Sequence, residues 1–223
     1  MRKLIPGLLV VALAAGFSVW AYPELPAQVA THFDFHGNAN GWSSRTVAVV
    51  LAPALAIVLA LVFTVLPRID PRGANYAKFG PTYWTIANAA LVLVAGIHVF
   101  ALGKALGWPI DMSRVASLGV GGLLVLLGNL MTRIRPNWFM GIRTPWTLSS
   151  DLAWDKTHRL VGRLWVVGGL AMFVFSLLGS TELLVGVILV FVVGSLVLAL
   201  VYSYRVWRAD PNKRQVGDGG GAA

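Results

Sequence analysis

The sequence contains no cysteine. That absence excludes disulfide staples, thiolate metal sites and cysteine nucleophiles at once. Charge is nearly as scarce: Asp, Glu, Lys and Arg make up 12% of the chain, about half the usual share of roughly 25%. A well-solvated globular surface is therefore excluded. No Gly-x-Ser-x-Gly, His-Glu-x-x-His or phosphate-cradling glycine loop occurs, and no internal repeat recurs at a fixed period. The expectation is a protein that is not an enzyme and carries no cofactor.

What fills the chain is apolar. Of its 223 residues, 57% are hydrophobic, and they gather into six runs, at residues 4–22, 47–66, 83–102, 115–131, 161–178 and 183–204. Each reaches the roughly 17–25 helical residues that cross a hydrocarbon core of about 30 Å. Unpaired backbone groups are too costly in lipid for anything but helices here, and strand-like alternation is absent from the runs. The fold class read from this pattern is all-α: a polytopic transmembrane bundle of six spans. It divides into residues 1–102 (three spans), 103–204 (three spans) and a disordered tail, 205–223, basic at first and then Gly-rich. Arg2-Lys3 ahead of an apolar run also resembles a cleaved signal peptide, but the run is long and no clean small-x-small site precedes Tyr22-Pro23.

The net charge of +9 finds its explanation in where the charges fall. Arg2, Lys3, Arg68, Arg72, Lys78, Arg133, Arg135, Arg143, Lys156, Arg159, Arg163, Arg205, Arg208, Lys213 and Arg214 all lie in alternate segments outside the apolar runs. The opposite set holds only Arg45, Lys104 and Arg114. The positive-inside rule then puts both termini in the cytoplasm. Contact with anionic lipid uses this charge, and no nucleic-acid partner is required.

Two segments outside the spans have character. The first, residues 23–45, is expected to face outward. Pro23 and Pro26 stop the helix, and Val29, Thr31, Phe33 and Phe35 alternate with Ala30, His32, Asp34 and His36 at a strand-like period of two. His36-Gly37-Asn38 and Asn40-Gly41 are both turn signals, and the expectation is a small compact cap. His32, Asp34 and His36 share a strand face as a candidate external site, but a metal needs three or four suitable ligands. A hydrogen-bonded polar face is the plainer reading, and no metal is expected. A pH-responsive histidine pair is a third option.

The second is the long inward loop at 133–160. Pro136-Asn137 ends the fourth span, Gly141 turns the chain, and Thr144-Pro145 has the form of an N-cap with Pro at the first helical position. Ser150-Asp151 starts another helix. Trp154, His158, Val161 and Trp165 then share one helical face, and Asp155 and Arg159 stand four apart in the favourable order for a pair. The fifth span is expected to begin there as an amphipathic helix.

This loop, Pro136-Asn137-Trp138-Phe139-Met140-Gly141-Ile142-Arg143-Thr144-Pro145-Trp146-Thr147-Leu148-Ser149 followed by Trp154 and Lys156-Thr157-His158-Arg159, resembles the SdpI family of bacterial six-span membrane proteins. Leu25-Pro26, Thr31-His32-Phe33 and Gly41-Trp42 resemble the uncharacterised module that often precedes it. The resemblance implies immunity to a secreted killing peptide. It also implies, from the family's best-known member, signalling by holding a cytoplasmic repressor at the membrane. The residues it marks for ligand or partner binding are Asn137, Gly141, Arg143, Thr144, Pro145, Trp146, Trp154, Lys156, His158 and Arg159.

Read from the residues alone, Arg143, Lys156, His158 and Arg159 suit a phosphate or phospholipid site, a docking face for a cytoplasmic protein, or plain anchoring to the inner leaflet. Trp138, Trp146 and Trp154 equally suit an aromatic belt. A pairing of His158 with Asp155 or Asp151, with Ser149 or Ser150 as nucleophile, is the best available case for catalysis, and it is weak because His158 belongs to the apolar stripe. Within the spans, His98, Asn88 and Asn129 are the polar residues that stand out. Asn88 and Asn129 are the expected hydrogen-bonding partners of His98, and a structural interhelical hydrogen bond is the plainer reading. His98 and the spans lining a path are the basis of an alternative reading as a small transporter or exporter.

Overall fold

A computed structural model of the chain describes residues 2–179 and 181–214. It is mostly helical, with six helices long and apolar enough to cross a membrane. The first is α1 (Ile5–Ala21), with Pro6 in its first turn, where a missing N–H costs nothing. It leads into an antiparallel hairpin, β1 (Gln28–Phe33) and β2 (Ala39–Ser44). Then come α2 (Arg45–Ile69), α3 (Tyr76–Ala105) and α4 (Met112–Leu130). A short helix α5 (Pro145–Ser149) precedes α6 (Asp151–Leu178). The last span is continuous through α7 (Thr181–Val187), a π-helical turn at Ile188–Val193, and α8 (Gly194–Ala209).

The alternation of six spans defines two ends. One carries the hairpin, and the other carries the loop between α4 and α6 together with the α2–α3 connection. α3 lies at the centre. Tyr76, Phe79, Tyr83 and Ile86 near its start join Trp154, Val161 and Ile134 in one buried cluster, and Ala87, Leu91 and Ala95 further along pack on Leu4, Val11, Ala56 and Ala60. α2 is peripheral: only three small residues, Ala48, Ala56 and Ala60, are buried along its 25. Its exposed large side chains are Val, Leu and Ile, which suits a face turned to lipid.

α4 and α6 make the tightest helix pair. Gly121 and Gly128 stand seven apart on α4, Gly162 and Gly169 seven apart on α6, and the antiparallel helices set Gly128 against Gly162 and Gly121 against Gly169. A Cβ at Gly128 would lie 2.5 Å from the Gly162 carbonyl oxygen, and one at Gly169 would lie 2.5 Å from that of Gly121. Backbones can approach this closely only through small residues.

The hairpin is the one strand feature among the described residues, which are otherwise mostly helical. Leu25 and Val29 are buried against Ala21, Ala48 and Leu102, which seats the hairpin on the ends of three spans. Its turn is at Gly37, with φ 78°. Asn40-Gly41 is not a second turn: it lies inside β2. There Gly41 faces His32, whose Cβ would be 2.9 Å from a side chain at that position. Ser113 at the start of α4 donates to the Phe35 carbonyl (2.6 Å) and fixes the hairpin tip.

The tail begins later than the sequence indicates. Residues 205–209 continue α8, because Tyr204 and Trp207 still pack on each other. The next few residues fold back, and the Arg214 N–H reaches the Ser149 carbonyl at 2.9 Å. The remaining stretch read as disordered, residues 215–223, lies outside the described residues.

Candidate functional site

The loop between α4 and α6 has little regular structure, so its backbone groups must find partners elsewhere. Buried side chains supply them. α4 gives way at Leu130 to one 3-10 turn, Met131–Arg133, and then to extended chain. Asn137, fully buried, sits at the turn that follows. Its amide donates to the carbonyls of Arg135 (2.9 Å) and Met140 (3.0 Å), while its oxygen accepts from the N–H groups of Phe139 (2.9 Å) and Met140 (2.7 Å). Both donors and both lone pairs are therefore used.

A carboxylate from the α2–α3 connection locks this turn to the bundle. Asp70 is buried. One of its oxygens accepts from the Arg72 N–H (2.7 Å), and the other from the Trp138 N–H and the Tyr76 hydroxyl (2.9 Å each). Tyr76 also leans toward the Asn137 oxygen, at 3.4 Å. Asn75 donates to the Pro136 carbonyl (2.8 Å), and Arg72 to that of Leu148 (2.7 Å). None of Asp70, Arg72, Asn75 or Tyr76 stood out in the sequence. The only signal there was an acid next to Pro71 in a short basic connection.

Gly141 and His158 form the second lock. Gly141 has φ 100°, a conformation open to glycine, and a Cβ there would collide with Nε2 of His158. That same nitrogen accepts the Ile142 N–H (3.0 Å), and Nδ1 lies 2.8 Å from the Trp154 carbonyl. A carbonyl only accepts and an amide N–H only donates, so the ring is neutral with its proton on Nδ1. The His158 ring stacks on Trp154 with centroids 4.1 Å apart, and Trp154 Nε1 donates to the Ile134 carbonyl (2.9 Å).

Local sequence builds the rest. Thr144 caps α5: its hydroxyl accepts the Thr147 N–H while Thr147 Oγ1 accepts the Thr144 N–H, a capping box with Pro145 at the first position. Thr144 also donates to Ser203 Oγ on α8 (3.0 Å), and Trp146 meets Tyr204 edge-on. Ser150 caps α6 through the Ala153 N–H and donates to Asp210 Oδ2 (2.5 Å). The Ser150 hydroxyl, and then the Asn212 N–H, hold the Asp210 carboxyl below the usual carboxylate range.

The marked residues thus divide by role. Asn137, Thr144, Trp154 and His158 are buried and hold the loop; Gly141 and Trp146 are half-buried; Arg143, Pro145, Lys156 and Arg159 are exposed. Asp155 does not pair with Arg159. It lies 4.0 Å from Arg135, across the loop, because the extended chain after α4 passes over the first turns of α6.

The other candidates are separate from this site. At the hairpin, Asp34 is spent on its own turn, accepting the N–H groups of His36 and Asn38 (2.9 Å each) and the Asn38 side chain. The Asn38 backbone donor is the main cause of its lowered pKa. His32 bonds Asn40, and among the described residues no group of three acids or histidines is placed to hold a metal ion. Inside the bundle, Asn88 and Asn129 are not the partners of His98. His98 Nε2 lies 2.6 Å from Ser18 Oγ on α1. Asn88 instead binds the Gly7 N–H and the carbonyls of Lys3 and Trp84, and Asn129 is exposed on α4.

The model of the SdpI/YfhL protein family matches residues 133–204, the loop and the two spans after it. That of a domain of unknown function, DUF1648, matches residues 9–66, which include the hairpin. The chain is 26% identical to the immunity protein SdpI of Bacillus subtilis (strain 168) over 208 residues, covering 93% of this chain and 97% of that protein. The resemblance read from the loop and hairpin motifs is borne out by these matches. No solved structure matches the chain. With six helices able to cross a bilayer, these similarities make it a multi-pass protein of the bacterial cytoplasmic membrane.

Proposed function

We infer that this chain, which carries an SdpI/YfhL family segment at residues 133–204, is a membrane immunity protein of the SdpI type, protecting a bacterial cell against a secreted membrane-active peptide. The observation that carries this reading is similarity to an immunity protein along nearly its whole length, through hairpin, spans and loop together. We orient the bundle with the hairpin outside and the α4–α6 loop inside, because fifteen of the eighteen basic residues lie at the loop end or beside it. The peptide is met in the membrane or at the outer face, and the loop is the output. Exposed Lys156 and Arg159, carried on a frame fixed by Asp70, Asn137 and His158, are the surface for a cytoplasmic repressor. Signalling of this kind needs two states of the bundle that the peptide binds unequally.

The geometry favours recognition over turnover, and we propose that the protein is not an enzyme. Both nitrogens of His158 are occupied, Ser149 donates to the Pro145 carbonyl, and Ser150 donates to Asp210. A nucleophile needs a base strong enough to take its proton: Ser149 faces only a carbonyl, and the carboxylate that Ser150 meets is held below the usual carboxylate range, which makes it a weak base. Two of the intramembrane polar residues, His98 and Asn88, are satisfied in place, His98 by Ser18 and Asn88 by three backbone groups, which speaks against a substrate path built on them.

The test is deletion of the gene from its own host, followed by exposure to supernatant from the parent strain across growth phases. The deletion strain is expected to die, and expression of the chain to restore survival. Equal survival of parent and deletion strains at every phase would sink the immunity reading. The double variant Lys156→Glu/Arg159→Glu is expected to keep protection and lose peptide-induced transcription. Undiminished induction would remove the docking role alone.

A further inference from the structure

We propose that the groove between the α4–α6 loop and α8 is a binding site for one phospholipid, with Arg143 on the phosphodiester and an acyl chain along Leu196 and Leu200. The groove encloses about 420 Å³, within the range of about 300–1,000 Å³ typical of small-molecule sites. Its walls differ in chemistry. On the loop side are Arg143, Trp138, Ile142 and Leu148; on the helix side are Leu196 and Leu200.

Depth identifies the occupant. Thr144 is tied to Ser203, Trp146 packs on Tyr204, and Tyr204 packs on Trp207, an aromatic cluster of the kind that marks a membrane interface. Leu200 and Leu196 lie one and two turns further into the span. Both are about half exposed, at 52% and 45%, and what touches them in a bilayer is lipid. Arg143 therefore sits where headgroup meets hydrocarbon. One of its guanidinium nitrogens donates to the Trp138 carbonyl (2.7 Å), and among the described residues no carboxylate lies within ion-pair distance of it.

A guanidinium offers five N–H donors, and leaving the charge unneutralised beside hydrocarbon is costly. A phosphodiester matches its planar fork in two hydrogen bonds, while the attached acyl chain covers the leucine wall. Free phosphate satisfies only the first need and a diacylglycerol only the second. Lys156 and Arg159, exposed on α6 and absent from the groove lining, serve as controls for unspecific attraction to anionic lipid.

The site stands independently of the immunity reading, since it is measured on the purified full-length chain. Native mass spectrometry in detergent would follow binding of phosphatidylglycerol, dioleoylglycerol and inorganic phosphate, with thermal unfolding as the control for folding. One phosphatidylglycerol is expected to be retained, and the other two probes not. Arg143→Ala is expected to weaken retention about fivefold to tenfold, with Arg143→Lys in between and Lys156→Ala without effect. Leu200→Trp fills the groove while leaving Arg143 in the sequence and is expected to expel the lipid on its own. The proposal is overturned if the wild type retains no phospholipid, or if dioleoylglycerol or phosphate binds equally well. It is also overturned if Leu200→Trp binds like the wild type, or if Lys156→Ala loses as much as Arg143→Ala.

Discussion

Adding a single methyl group at Gly141 should unlock the loop. The residue sits at φ 100°, which costs an alanine about 1–2 kcal/mol. Its Cβ would also run into Nε2 of His158, the acceptor of the buried Ile142 N–H. If the ring yields, that N–H is orphaned at a cost of about 1–3 kcal/mol. Gly141→Ala should therefore destabilise by about 2–5 kcal/mol, a melting temperature lower by roughly 5–15 °C on the scaling of globular domains. His158→Ala loses the same hydrogen bond but removes the obstacle, so in that background Gly141→Ala should cost only its backbone term. The two changes are thus predicted to be non-additive by about 1–3 kcal/mol, as expected for residues in contact. Thermal unfolding of the four proteins in detergent measures this coupling, and hydrogen exchange at Ile142 gives its local counterpart. Exchange should speed up in either single variant and no further in the double. Strictly additive losses, or unchanged exchange at Ile142 after His158→Ala, would refute the arrangement.

Three further perturbations test other parts of the fold. Gly128→Ala should lower the melting temperature, since its Cβ would press on the Gly162 carbonyl at an overpacking cost of about 1–3 kcal/mol; Gly16→Ala, with nothing within 4 Å, should be neutral or stabilising. The depressed pKa of Asp210 means that its contribution to stability is complete above the unfolded-state value of about 3.9 and is lost as pH falls through the lower folded value. An acid titration of unfolding should show that loss in the wild type and a smaller one in Asp210→Asn. Ser18→Ala and His98→Ala should each cost about 0.6 kcal/mol, the average for an interhelical hydrogen bond in a membrane protein, and the double variant little more, with protection retained throughout.

The features legible in the sequence were those set by neighbours along the chain. Hydropathy located the six spans because lipid imposes one length on all of them. The two caps at Thr144 and Ser150 could be read because a helix start is decided within four residues. Gly141 announced a turn, but that it also makes room for His158 depends on contact with α6. The features that stayed hidden join distant segments. Asp70 reaches Trp138 across 68 positions, and nothing local distinguishes it from a solvated acid in a short connection. Asp155 looked paired with Arg159 by helical spacing, yet Arg135 approaches it from a segment whose path is set by the loop. The spacing of seven shared by Gly121/Gly128 and Gly162/Gly169 was present in the sequence. It acquires meaning only once α4 and α6 are known to be antiparallel neighbours.

Because the chain has no cysteine of its own, a single introduced thiol reports which side of the membrane each end faces. Asn38→Cys at the hairpin turn and Lys156→Cys at the exposed start of α6, each in intact cells, would be treated with a membrane-impermeant maleimide before and after permeabilisation. The account predicts that Asn38→Cys labels at once and Lys156→Cys only after the membrane is opened. Immediate labelling of Lys156→Cys, with Asn38→Cys protected, would contradict it.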